Sequence, residues 1–213
     1  MKIKINDKNI EAREGETILS AARREKIYIP TLCYMEKLLP IGSCRLCVVE
    51  VEGFDNPVAA CKTPVTAEMK VSTDTPKLRD MRKEILGFML MTHPLECDDC
   101  ELKGVCTLEL LAKEYGVTAP PAAISGNRPR TAEFSTPAII YKPYRCVACG
   151  RCVSACQEVV GRGVLALRGE GINAAMEVVN EDRCISCGEC LSVCPVAALA
   201  DAGMEEIYKL DRS

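Results

Sequence analysis

Apolar and polar residues alternate along residues 2–11 (KIKINDKNIE), on either side of Asn6-Asp7. That period of two predicts a pair of short strands closed into a hairpin. The period lengthens over residues 16–26 (ETILSAARREK), where Ile18, Leu19, Ala21 and Ala22 share one helical face after Gly15. Tyr28-Ile29-Pro30 ends that helix. Residues 45–51 (RLCVVEV) and 70–72 (KVS) predict further strands. A longer helix is expected over residues 76–92, capped by Thr75 with Pro76 at its first position. Its apolar face reads as Leu78, Met81, Ile85, Phe88, Met89 and Met91, a methionine-rich stripe of ordinary core. Residues 106–115 form a shorter helix, stopped by Gly116.

Residues 118–143 break both periods. Pro120, Pro121, Gly126, Pro129, Pro137 and Pro143 predict an extended linker there. Beyond it the chain repeats itself: residues 144–156 (YRCVACGRCVSAC) align without a gap to residues 182–194 (DRCISCGECLSVC). Strand-like residues fill 164–180. Each triplet of cysteines is expected to run into a helix, with the fourth cysteine at that helix's start.

Composition changes the picture most through cysteine. The 213 residues include fifteen Cys, a single His, no Trp and three Phe. Small units with few large side chains bury little apolar surface and need staples. Bound metal supplies them, since ligand binding is also folding free energy, and the apoprotein is expected to be partly unfolded. A disulfide framework fits poorly: the count is odd, the Cys-x-x-Cys triplets are too tight, and the first residues (MKIKIND) lack a signal-peptide apolar run. No apolar stretch is long enough to span a membrane. The net charge of −3, with signs interspersed, leaves no basic footprint for nucleic acid. A cytoplasmic chain with protein partners is expected.

The fifteen cysteines and the histidine fall into four groups of four, as if to hold four redox clusters in a row. The repeat gives the strongest signal. Both halves read Cys-x2-Cys-x2-Cys-x3-Cys. Short spacers let three thiolates of one loop cover a face of a 4Fe-4S cubane, with loop N–H groups aimed at its sulfurs. In two-cluster ferredoxins the fourth cysteine serves the other cluster. One set is therefore Cys146, Cys149, Cys152 and Cys194, and the other Cys184, Cys187, Cys190 and Cys156. Gly150 and Gly188 sit where the backbone must come close. Paired zinc sites have more widely separated motifs than this.

The first group is Cys33, Cys44, Cys47 and Cys61. Its spacing departs from the plant-type pattern and leaves zinc open; the β-grasp-like segment before it favours 2Fe-2S. The remaining group is His93, Cys97, Cys100 and Cys106. A neutral imidazole in place of a thiolate removes one negative charge, so this cluster is expected at a higher potential than an all-cysteine neighbour. Three cysteines with water or an exogenous ligand is the plainer alternative.

The order of these motifs resembles the N-terminal iron–sulfur region of the large subunit of bacterial complex I, of iron-only hydrogenases and of NAD-linked formate dehydrogenases. As a separate chain ending at Ser213, it resembles the diaphorase small subunit of NAD-reducing hydrogenases. The resemblance implies an α+β protein in three parts. These are a β-grasp 2Fe-2S ferredoxin-like domain (1–75), a small helical domain with a His-ligated 4Fe-4S cluster (76–117) and, after the linker (118–143), a two-cluster 4Fe-4S ferredoxin-like domain (144–213). It implies one 2Fe-2S and three 4Fe-4S clusters. The implied partners are a flavin subunit binding FMN and NAD(P)(H) and a catalytic subunit of hydrogenase, formate dehydrogenase or acyl-CoA reductase type. No Gly-x-Gly-x-x-Gly follows a strand, and no nucleophile–base pair is visible. The chain reads as an electron relay with no catalytic residue of its own. Zinc-stapled scaffold and cluster-based redox sensor are the rival readings.

Overall fold

The structure is a computed structural model that describes residues 1–118, 134–136 and 138–203. Two strands, β1 (Lys2–Ile5) and β2 (Lys8–Glu11), form the expected hairpin. Helix α1 (Ile18–Arg24) follows, capped by the Thr17 hydroxyl, which accepts from the Ser20 N–H. Three more strands, β3 (Val48–Val51), β4 (Val58–Ala59) and β5 (Lys70–Ser72), complete a five-stranded sheet in the order β2-β1-β5-β3-β4. β1 and β5 run parallel and the other pairs antiparallel. Ile3, Ile5, Ile10, Val49, Val51 and Val71 pack with Ile18 and Leu19 of α1 into one core.

Helix α2 (Pro76–Leu90) begins as its sequence requires, with Thr75 accepting from the Leu78 N–H and Pro76 in the first turn. Its buried face overlaps the expected one only in part: Leu78 is buried, and Ile85 and Met89 pack against the core half-buried. Leu78, Arg82, Leu86 and Leu90 face inward at four-residue spacing, while Phe88 is exposed. The i, i+4 row wins because those positions stand one above the other on a helix, and it carries an arginine into the core. Helix α3 (Thr107–Tyr115) packs on α2 and ends at Gly116, left-handed at φ 68°.

Residues 119–133 and 137 of the expected linker lie outside the described residues. Its end is sheet: β6 (Phe134–Ser135) and β7 (Ile139–Tyr141) pair with each other, and β7 pairs with β10 (Leu199–Asp201). The repeat supplies two one-turn helices, α4 (Arg151–Ser154) and α5 (Glu189–Ser192), around the hairpin of β8 (Leu165–Arg168) and β9 (Ala175–Val178). A second core joins parts of all three segments among the described residues. It joins Leu32 and Leu46 to Leu86 and Leu90 of α2, Leu108 and Leu111 of α3, and Tyr141, Leu165, Met176 and Val196.

Candidate metal centres

All fifteen cysteines are free thiols. The repeat shows most directly how the backbone presents them. In Cys146-Val147-Ala148-Cys149-Gly150, Ala148 and Gly150 are left-handed at φ 51° and 78°. The equivalent Ser186 and Gly188 are left-handed at 55° and 72°. These turns wrap each loop around its interior. The Ala148 N–H lies 3.4 Å from Cys146 Sγ, a donor aimed at a thiol. Gly150 and Gly188 then stand as N-caps of α4 and α5, so the third cysteine of each triplet already lies in the helix. The expected place of the fourth cysteine is thereby corrected. Cys156 lies in a π-helical turn beyond α4, and Cys194 lies beyond α5. The glycines turn the chain into the helix before the fourth cysteine is reached.

The two halves exchange their fourth cysteines around two cavities. One is lined by Cys146, Cys149, Cys152 and Cys194. The other is lined by Cys156, Cys184, Cys187 and Cys190. Burial pushes the Cys149 thiol up to about 12 and the Cys190 thiol up to about 11, and raises Cys152 well above its ordinary value. Thiols this dry stay protonated until a cation takes the proton's place.

In the N-terminal unit, Cys33, Cys44, Cys47 and Cys61 are all buried. Cys33 and Cys44 are cross-linked by reciprocal N–H···S contacts of 3.5 Å. The hydrogen bond from the Cys44 thiol pulls Cys33 down to about 6, and the same contact, with burial, raises Cys44. The Cys61 thiol acts likewise on Cys47, drawing it down to about 7. Arg45, between Cys44 and Cys47, is left-handed at φ 59°, the same device as in the repeat.

Cys97 opens a 3-10 turn (Cys97–Asp99) and Cys106 caps α3. Burial raises both thiols, with the nearby Cys100 adding to it. His93 is held from the other side, with Nδ1 3.0 Å from the Arg145 carbonyl oxygen. An Nδ1–H donated there leaves the neutral ring's lone pair on Nε2, the form a metal takes.

Contacts link the Cys146 loop to segments beside the first two groups. Ser43, beside Cys44, donates its hydroxyl to the Ala148 carbonyl at 3.0 Å. A Cβ on Gly150 would lie 3.3 Å from Ile41 Cγ2. His93 meets Arg145, next to Cys146, and the Cys106 thiol reaches the Pro195 carbonyl, next to Cys194, at 3.5 Å. Arg145 also pairs with Glu101, beside Cys100, and Lys142 joins them at 3.1 Å. Burial would raise the Glu101 carboxyl, but its own backbone N–H, Lys142 and Arg145 outweigh that and hold it at about 2. Ser43, Glu101, Lys142 and Arg145 carried no signal in the sequence, because their partners are 41 to 105 residues away.

Among the described residues, no three His, Cys, Asp or Glu side chains converge to hold a single ion. In the repeat the thiols stand around cavities, and a set of four thiolates suits an iron–sulfur centre.

Comparison with known proteins agrees along the chain. Residues 1–76 match a 2Fe-2S iron-sulfur cluster binding domain, and residues 145–198 a 4Fe-4S dicluster domain. Residues 82–121 match the NADH-ubiquinone oxidoreductase-G iron-sulfur binding region. The NADH-ubiquinone oxidoreductase 75 kDa subunit of Reclinomonas americana is 37% identical over 171 residues, 76% of this chain and 23% of that protein. NADP-reducing hydrogenase subunit HndD of Solidesulfovibrio fructosivorans is also 37% identical, over 83% of this chain and 31% of its own length. One chain of a crystal structure of NAD+-reducing [NiFe]-hydrogenase in the H2-reduced state superposes with a TM-score of 0.84 at 29% identity. That match covers 94% of this chain and 87% of the other.

This chain belongs to the iron–sulfur subunit family that these proteins share. It carries a 2Fe-2S domain and 4Fe-4S domains. It spans only about a quarter to a third of the length of these curated relatives. No helix among the described residues is long and apolar enough to cross a membrane.

Proposed function

We propose that the chain relays electrons between a flavin subunit binding FMN and NAD(P)(H) and a separate catalytic subunit, through one 2Fe-2S and three 4Fe-4S clusters. The catalytic subunit is of hydrogenase, formate dehydrogenase or acyl-CoA reductase type; hydrogenase is favoured by the names of HndD and of the superposed structure. The 2Fe-2S ligands are Cys33, Cys44, Cys47 and Cys61. The first 4Fe-4S set is His93, Cys97, Cys100 and Cys106. The ferredoxin pair is Cys146, Cys149, Cys152 and Cys194, with Cys156, Cys184, Cys187 and Cys190. Bound clusters of these types supply one-electron steps.

The observation that carries this reading is the exchange of Cys156 and Cys194 between the two repeat groups, with contacts that tie the other two groups to the same segment. The two repeat groups surround cavities as complete sets. Contacts run from the Cys146 segment to Ser43 beside Cys44 and to His93, and the Cys106 thiol reaches the Pro195 carbonyl beside Cys194. Polypeptide contacts hold the sites in fixed relation, through Ser43 to Ala148 and through His93 to Arg145. A zinc scaffold has no need of such exchange and contacts, and a sensor needs only one labile cluster.

Iron and sulfide analysis with EPR and Mössbauer spectroscopy tests it. About fourteen iron atoms per chain are expected, as one 2Fe-2S and three 4Fe-4S centres. Zinc as the dominant metal, or a single cluster, ends the proposal.

A further inference from the structure

Arg82 is the largest fully buried side chain among the described residues, 1% exposed, and the relay gives it no part. Its guanidinium donates from Nε to the Leu46 carbonyl at 3.1 Å and from one terminal nitrogen to the Val48 carbonyl at 2.7 Å. Those two carbonyls flank Cys47. The same nitrogen reaches the Thr73 carbonyl at 2.8 Å, and the other terminal nitrogen meets the Tyr115 hydroxyl at 3.3 Å. The carboxylate beside it is that of Asp74, 3.9 Å away and half-exposed, which also pairs with Arg79.

An arginine does not lose its proton inside a protein. Burying the ion is costly unless its donors are satisfied, and here carbonyls satisfy them without cancelling the charge. The field of such a cation is strong where water is excluded. We propose that Arg82 is a positioning residue for the 2Fe-2S site. From α2, it clamps the backbone on both sides of Cys47 and fixes a positive charge there, raising that site's reduction potential.

This rests on the reading of Cys33, Cys44, Cys47 and Cys61 as 2Fe-2S ligands. Reduction adds one electron, supplied by dithionite in the test below; no bond forms or breaks. The added negative charge is what Arg82 attracts. A bolt that merely joined α2 to the sheet would hold the loop without acting on that electron.

Redox titration of the full, cluster-loaded chain by EPR separates the two. Arg82→Gln is expected to make 2Fe-2S reduction about tenfold less favourable, about 59 mV for a one-electron couple. Arg82→Lys keeps the charge without the fork and should shift less. The 4Fe-4S potentials should stay in place. A Gln variant at the wild-type potential, or a Lys variant shifted as far as the Gln one, overturns the proposal. If the Gln variant does not fold, Asp74→Asn removes the counter-charge at the surface and should raise the 2Fe-2S potential; no rise sinks the idea. A wild-type chain without a 2Fe-2S signal overturns instead the ligand reading beneath it.

Discussion

Cys194 decides which of two ligand pairings holds. By sequence it belongs with Cys184, Cys187 and Cys190, four residues after the last of them. In space it lines the cavity of Cys146, Cys149 and Cys152, and it is among the groups that press the Cys149 thiol upward. Cys194→Ser is therefore expected to remove or convert the cluster at Cys146 and to leave the one at Cys184 intact. EPR-monitored titration checks this, and loss of the Cys184 cluster alone would reverse the assignment. The crossing was expected from the way two-cluster ferredoxins share their fourth cysteines, and the cavity linings group the thiols the same way. Arg145 and Glu101 were not, since a carbonyl that orients a histidine and a carboxylate that grips an arginine have no local spacing. Arg82 left a faint trace, as a charge at position i+4 between Leu78 and Leu86 on an otherwise apolar row.

Among the elements, those that close on themselves were readable. Thr75 with Pro76, Gly116 at the end of α3, and the β1–β2 hairpin each satisfy their own backbone groups within a few residues. β4, β6 and β7 were missed: they are two or three residues long and exist because distant partners supply their hydrogen bonds. The junction between the α2–α3 unit and the C-terminal unit is of this second kind. Glu101, Lys142 and Arg145 fasten the turn that holds Cys97 and Cys100 to the segment whose carbonyl meets His93. The Glu101 carboxyl is held at about 2 in the folded chain against an ordinary 4.5. The contribution of this clamp is thus complete above about pH 4.5 and is lost as pH falls toward 2. Glu101→Gln should cost up to about 1 kcal/mol in urea unfolding at pH 7, since the carboxylate is half-exposed. The same variant should release iron from the Cys97–Cys106 site faster under chelator challenge, with the 2Fe-2S signal as internal control. Equal release from wild type and variant would deny the clamp any part in holding that site.

At the scale of the whole molecule, the two larger cores among the described residues differ in what fills them. The β-grasp core is aliphatic, built on Ile3, Ile5, Ile10, Ile18, Leu19, Val49, Val51 and Val71, and needs only Cys47 and Cys61 from the ligand set. The shared core is different. Cys33, Cys44, Cys106, Cys149 and Cys156 are among its buried members, and Cys146, Cys152, Cys184, Cys190 and Cys194 pack against it. Its cavities are lined by thiols, so without clusters it loses its densest contents and much of the reason for its short strands and one-turn helices to hold together. Stripping the iron by oxidation in the presence of a chelator should therefore unfold the molecule in part. Amides of β7, β8, β9 and α3 are expected to exchange close to the free-chain rate, while those of β1, β3 and β5 stay protected. Hydrogen exchange followed by mass spectrometry resolves these segments. Uniform loss of protection, β-grasp sheet included, would mean that the two cores melt as one. Protection kept at β8 and β9 would mean that polypeptide packing alone sustains the C-terminal unit, and that the clusters are passengers in a fold already made.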